Sequence, residues 1–148
     1  MIASKKKPLE EILGYLQDAQ SVFIVGCGDC ATQCETGGET EVAEMKQALE
    51  AAGKTVTGTA VPDVTCNILD TARLLRKQKE AVAAAEAILV LSCGTGVQSV
   101  AESQESKPVY PGVDSLFSAV TARKGQIYER CVCCSDCVVG DYAGICPM

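Results

Sequence analysis

Two uninterrupted apolar runs, Val22-Phe23-Ile24-Val25 and Ala87-Ile88-Leu89-Val90-Leu91, decide most of what this chain can become. They are too short for helices and lack the polar alternation of a strand with one wet face. Such runs suit strands buried on both faces, which occur almost only in parallel sheets with helices packed above and below. Each run stops at a turn bearing glycine and cysteine: Gly26-Cys27-Gly28-Asp29-Cys30 after the first, Ser92-Cys93-Gly94-Thr95-Gly96 after the second.

Helical periods separate these runs. Pro8, at a first helical position, precedes Leu9, Ile12, Leu13 and Leu16 at the spacing of one helix face. Val42, Met45, Leu49 and Ala52 mark a second helix, closed by Gly53. Lys54 to Val61 reads as a strand that stops at Pro62. A single long helix is expected from about Ile68 to Ala85, with Ala72, Leu75 and Val82 facing inward. Val97, Val100 and Ala101 suit a short helix, and Val109-Tyr110 a fourth strand. Strands alternating with helices in this way, joined by right-handed crossovers, give an α/β fold. The expectation is a doubly wound, flavodoxin- or Rossmann-like parallel sheet of about four strands.

The 148 residues are enough for one domain and a small appendage. Residues 1–124 are expected to form the α/β domain. Residues 125–148, rich in cysteine and turns, form a tail module too small to fold without a ligand. With 19 acidic and 13 basic residues the net charge is −6, which speaks against a nucleic-acid footprint. The run Lys5-Lys6-Lys7 is read as solvated. No segment reaches the roughly 18 apolar residues of a membrane span. Pro8-Leu9-Glu10-Glu11 stands where a signal peptide would turn apolar. The expected compartment is cytoplasmic, where clustered thiols bind metal more often than they form disulfides.

The chain has ten cysteines and no histidine. Without histidine there are no mixed cysteine–histidine zinc sites, and no Ser-His or Cys-His catalysis. Five cysteines belong to the α/β part. Cys27, Cys30 and Cys34 follow the first strand, Cys66 the second and Cys93 the third. In a doubly wound sheet these strand ends lie on one edge, where such folds bind their ligands. The loop trio can supply three ligands to one centre, with Cys66 or Cys93 as the fourth. Taken singly, Cys66 or Cys93 fits equally well as a small buried hydrophobe. The trio does not. Gly26-x-Gly28-x-x-Ala31 formally matches a dinucleotide fingerprint, but thiolates at Cys27 and Cys30 would repel a pyrophosphate.

The other five cysteines crowd the C-terminus. Cys131-x2-Cys134-x2-Cys137, closed by Cys146-Pro147, resembles the ligand run of bacterial ferredoxins, although eight residues here separate the last pair. Three thiolates in one short stretch favour a [4Fe-4S] cluster over zinc, which usually takes two separated Cys-x2-Cys knuckles. Cys133 is either a spare thiol or an alternative ligand. The metal reading is thus two [4Fe-4S] clusters, with zinc at one or both sites as the alternative.

The blocks Val25 to Glu39, Leu91 to Gln98, and Arg130-Cys131 through Gly144-Ile145-Cys146-Pro147 resemble the small subunit, MetV type, of methylenetetrahydrofolate reductase. This resemblance spans nearly the whole chain. It implies a non-catalytic, iron–sulfur electron-transfer subunit in the one-carbon metabolism of acetogens and other anaerobes. The implied partner is a flavin-containing barrel subunit that reduces methylenetetrahydrofolate to methyltetrahydrofolate. Ferredoxin or another electron-donor subunit would stand on the other side. Cys27, Cys30, Cys34, Cys66 and Cys93 match the family's N-terminal cysteines, and Cys131, Cys134, Cys137 and Cys146 its tail set. Cys133 stands where the family has no cysteine. A non-redox zinc scaffold in the same complex is the rival reading.

Overall fold

The computed structural model describes residues 1–131. Four strands, β2 (Ser21–Val25), β3 (Thr55–Ala60), β4 (Ala87–Val90) and β5 (Val109–Pro111), form a parallel sheet in the order β3-β2-β4-β5. Numbered among themselves, these strands run 2-1-3-4, the flavodoxin-like order, and the winding reverses between β2 and β4.

That reversal puts helices on both faces. The connection from β2 to β3 moves one way through α3 (Glu39–Ala51). The connection from β3 to β4 moves back through α4 (Ile68–Lys77) and α5 (Lys79–Ala84), and α6 (Gly94–Ser103) continues in that direction to β5. Right-handed crossovers in opposite directions must lie on opposite faces. The core divides accordingly. Val22, Ile24 and Leu89 pack with Leu49 of α3 and with Ile12 of α1 (Leu9–Tyr15). Phe23, Val25, Ile88 and Val90 pack with Leu75, Val82 and Val100 of the other three helices. Period-two alternation along strands buried on both faces thus feeds two cores from one short run.

The long helix expected over Ile68–Ala85 is broken at Gln78, whose φ of −109° leaves the helical range. The break frees the Gln78 side chain to donate to the Thr59 carbonyl at 3.1 Å, while Leu75 and Val82 both stay buried.

A second sheet carries no signal in the sequence reading. β1 (Ile2–Lys6), β6 (Val113–Arg123) and β7 (Gln126–Cys131) are antiparallel in the order β1-β6-β7. Their burial does not alternate cleanly, and β1 buries only Ala3. Lys5 and Lys6 are exposed as expected, but Lys7 is not a solvated lysine. Its side chain is 11% exposed and lies between Asp114 (2.5 Å) and Glu11 (2.7 Å). The 124/125 boundary falls in the turn of the β6–β7 hairpin, where Gly125 has φ +75°.

Candidate metal centre

The cysteine loop is held by a ladder of backbone bonds that continues the sheet beyond the strand ends. Gly26 N–H donates to Ala60 O, Cys27 N–H to Gly37 O and Gly28 N–H to Pro62 O, each at 2.8 Å. Thr65 Oγ1 donates to Gly26 O at 2.6 Å, and Thr32 Oγ1 to Cys27 O at 2.7 Å. The glycines are required by close approach. A Cβ on Gly26 would lie 2.5 Å from Gly37 O, and one on Gly37 would lie 1.8 Å from Leu91 O. In the formal dinucleotide fingerprint, the space beside Gly28 is filled by backbone atoms of Pro62 and Asp63. The first N–H of α6, on Gly94, is occupied by Ser115 Oγ at 2.9 Å.

This ladder brings the sequence-predicted cysteines to one edge. Cys27 lies just beyond β2, and Cys93 caps α6 just beyond β4. They flank the point where the winding reverses, and both are buried. Cys66 lies between β3 and α4 and is exposed. Cys30 opens α2 (Cys30–Gln33), and Cys34 closes it.

The thiols divide by environment. Burial raises Cys27, but backbone N–H groups, that of Thr65 first and then those of Asp29 and Ala31, outweigh it and hold the thiol below its ordinary range. Burial pushes Cys30 up, and the charges of Asp29, Cys27 and Cys93 add to that against one favourable N–H from Ile2. Burial also raises Cys66, reinforced by the charges of Cys93 and Cys27. Cys27, Cys30, Cys66 and Cys93 therefore share one electrostatic neighbourhood. Cys34 points elsewhere, its Sγ donating to the Ile2 carbonyl at 3.9 Å. Cys27, Cys30, Cys34, Cys66 and Cys93 are free thiols. Among the described residues, no group of three or more Cys, Asp or Glu side chains is arranged to hold a metal ion.

The second sheet closes over this edge. The peptide of Ile2 serves two cysteines, its N–H facing Cys30 and its carbonyl Cys34. Glu35 ends α2 with φ +55° and pairs with Lys124 at 3.9 Å, while Gly125 N–H donates to Gln33 O at 2.9 Å. Sequence reasoning missed Ile2, Thr65, Ser115 and the Lys124-Gly125 turn. Only Thr65, next to Cys66, carried even a positional hint.

Cys131, first of the tail set, lies within this arrangement. It pairs with Ser118 of β6, and Ser118 pairs with Ile2 of β1. At about 4.8 Å per strand, the Cys131 backbone lies about 10 Å from the Ile2 peptide that serves Cys30 and Cys34. Cys133, Cys134, Cys137 and Cys146 lie outside the described residues.

Residues 110–148 match the family model described as methylene-tetrahydrofolate reductase C terminal. The matched stretch begins in β5, takes in the whole β6–β7 hairpin and runs through the tail cysteines. No curated protein and no solved structure matches the chain. Among the described residues, no helix is long and apolar enough to cross a membrane.

Proposed function

We propose that this chain is an iron–sulfur electron-transfer subunit that delivers electrons to a flavin-containing barrel subunit of methylenetetrahydrofolate reductase. The observation that supports the reading is the placement of cysteines after three separate strands, β2, β3 and β4, on one edge of the sheet, in a chain without histidine. The match of residues 110–148 to a methylenetetrahydrofolate reductase C-terminal region supports this choice of partner enzyme.

The chemistry of the donors suits the group, although the described side chains are not gathered around a common centre. A [4Fe-4S] cluster takes thiolate ligands and, when bound, supplies reversible one-electron transfer. Cys27, Cys30, Cys66 and Cys93 would hold the first cluster, with Cys34 as the further thiol of the same loop. The N–H groups of Thr65, Asp29 and Ala31 around Cys27 Sγ are the type of donor that stabilises thiolate charge and tunes a cluster potential. Cys131, Cys134, Cys137 and Cys146 would hold the second, with Cys133 spare. Ser92, next to Cys93, is buried, and its hydroxyl has no partner among the described residues. In this reading, folate chemistry belongs to the partner.

The test is electron delivery. The chain, purified without oxygen and reduced with dithionite, is mixed with the flavin-loaded large subunit. Bleaching of the flavin band, with matching reoxidation of this chain, is the expected result. A flavin that stays oxidised beside a fully reduced chain would overturn the reading. Zinc in the same thiolates would make the chain a scaffold.

A further inference from the structure

The face of α4 beside the sulfur edge is left uncovered. Cys66, the exposed member of the cysteine group, stands two residues before this helix. Around it Val64 is 37%, Ile68 38% and Leu69 70% exposed. Leu69 joins Arg73, Arg76 and Lys77 in lining a shallow depression of about 460 Å³. Lys79 follows at the start of α5.

The charge here runs against the rest of the molecule. From Asp63 to Glu80 there are four basic residues, Arg73, Arg76, Lys77 and Lys79, and three acidic ones, Asp63, Asp70 and Glu80, a local excess of positive charge in a chain of net charge −6. Arg73 pairs with Asp70 at 3.1 Å. Arg76, Lys77 and Lys79 are exposed and have no carboxylate partner among the described residues. Exposed lysines on a helix are usually only solvated. Exposed Leu69 and Ile68 rimmed by unpaired cations are different, because that is the anatomy of a small interface.

We infer that this face docks an acidic electron-carrier protein, placing the carrier's one-electron centre beside Cys66. The inference rests on the electron-transfer reading for what crosses the interface, while the docking stands on charge and apolar exposure alone. The reduced carrier loses one electron, the thiolate-held centre of this chain gains it, and no bond or proton need move. The basic patch would steer encounter, so affinity should fall steeply with salt.

The experiment titrates the chain, as purified without oxygen, with a small acidic ferredoxin by calorimetry at low and high ionic strength. The variant Arg76→Glu/Lys77→Glu/Lys79→Glu is compared with a charge-matched control, Lys5→Glu/Lys46→Glu/Arg123→Glu. A second variant, Leu69→Asp, tests the apolar centre, and circular dichroism melts confirm that all are folded. The α4 triple should weaken binding at least roughly tenfold at low salt, with the control changing it much less. Equal weakening by both triples, undiminished binding by the α4 triple, or no binding by the unaltered chain would each overturn the inference. So would heparin binding that survives salt better than carrier binding. Visible absorbance of the same samples separates the two claims: a colourless chain that still binds through α4 ends the redox reading and keeps the docking face.

Discussion

Gly37 lies so close to Leu91 that a side chain at position 37 has nowhere to go: its Cβ would fall 1.8 Å from the Leu91 carbonyl oxygen. Gly37 ends the cysteine loop after β2, and Leu91 begins the Cys93 turn after β4. The contact is therefore where the two halves of the sulfur edge are pressed together. Gly37→Ala must displace one of them and should cost about 3 kcal/mol or more in urea unfolding. Gly14→Ala, in the last turn of α1 with open space around it, is the control and should be neutral or stabilise by up to about 0.5–1 kcal/mol.

Thr65 and Ser92 should separate in the metal-free protein. Thr65→Val removes the hydroxyl that bonds Gly26 O at 2.6 Å and leaves a buried carbonyl short of a donor, a loss of about 1–3 kcal/mol. The Ser92 hydroxyl is buried without a partner, so Ser92→Ala should be neutral or stabilising. Chemical denaturation of both variants, stripped of metal, checks the pair. A loss of stability in Ser92→Ala comparable to that in Thr65→Val would mean that its hydroxyl is bonded in the metal-free fold.

If the chain carries the two proposed clusters, Cys27→Ser and Cys93→Ser should each remove the first, lowering iron by about four atoms per chain and leaving the iron of the other set. Cys34→Ser should be milder, since its thiol faces the Ile2 carbonyl instead of the shared field of the other four. Iron and sulfide analysis of the three variants, prepared identically, checks the order.

The parallel sheet and its two-sided core were legible because Val22–Val25 and Ala87–Leu91 have no polar residue to offer a wet face. The placement of Cys27, Cys66 and Cys93 beyond the ends of β2, β3 and β4 followed from that topology. The second sheet was not legible. β1 reads as a charged leader, because Lys5 and Lys6 do face water, and what fixes it is pairing to β6, more than a hundred residues away in the chain. The break at Gln78 was hidden for a similar reason. Leu75 and Val82 keep the spacing of one continuous helix, and the interruption is set by a carbonyl on β3.

Lys7 should shape the pH dependence of stability. Asp114 and then Glu11 hold its ammonium above the usual lysine range, and Lys7 and the Tyr15 hydroxyl hold the Glu11 carboxyl below its own. The lysine's contribution is complete below about pH 10.4 and is lost as pH rises through its elevated folded value. The carboxylate's is complete above about pH 4.3 and is lost as pH falls through its depressed folded value. Melting temperature plotted against pH should fall on both flanks of that window, and Lys7→Met should flatten both. Parallel profiles would show the network to be inert.

The central claim is tested most directly by iron, zinc and acid-labile sulfide content, with a visible spectrum, on the chain purified without oxygen. The account predicts about four irons and four sulfides per occupied site, with broad absorption at roughly 400 nm that dithionite bleaches. Stoichiometric zinc in a colourless solution would contradict it.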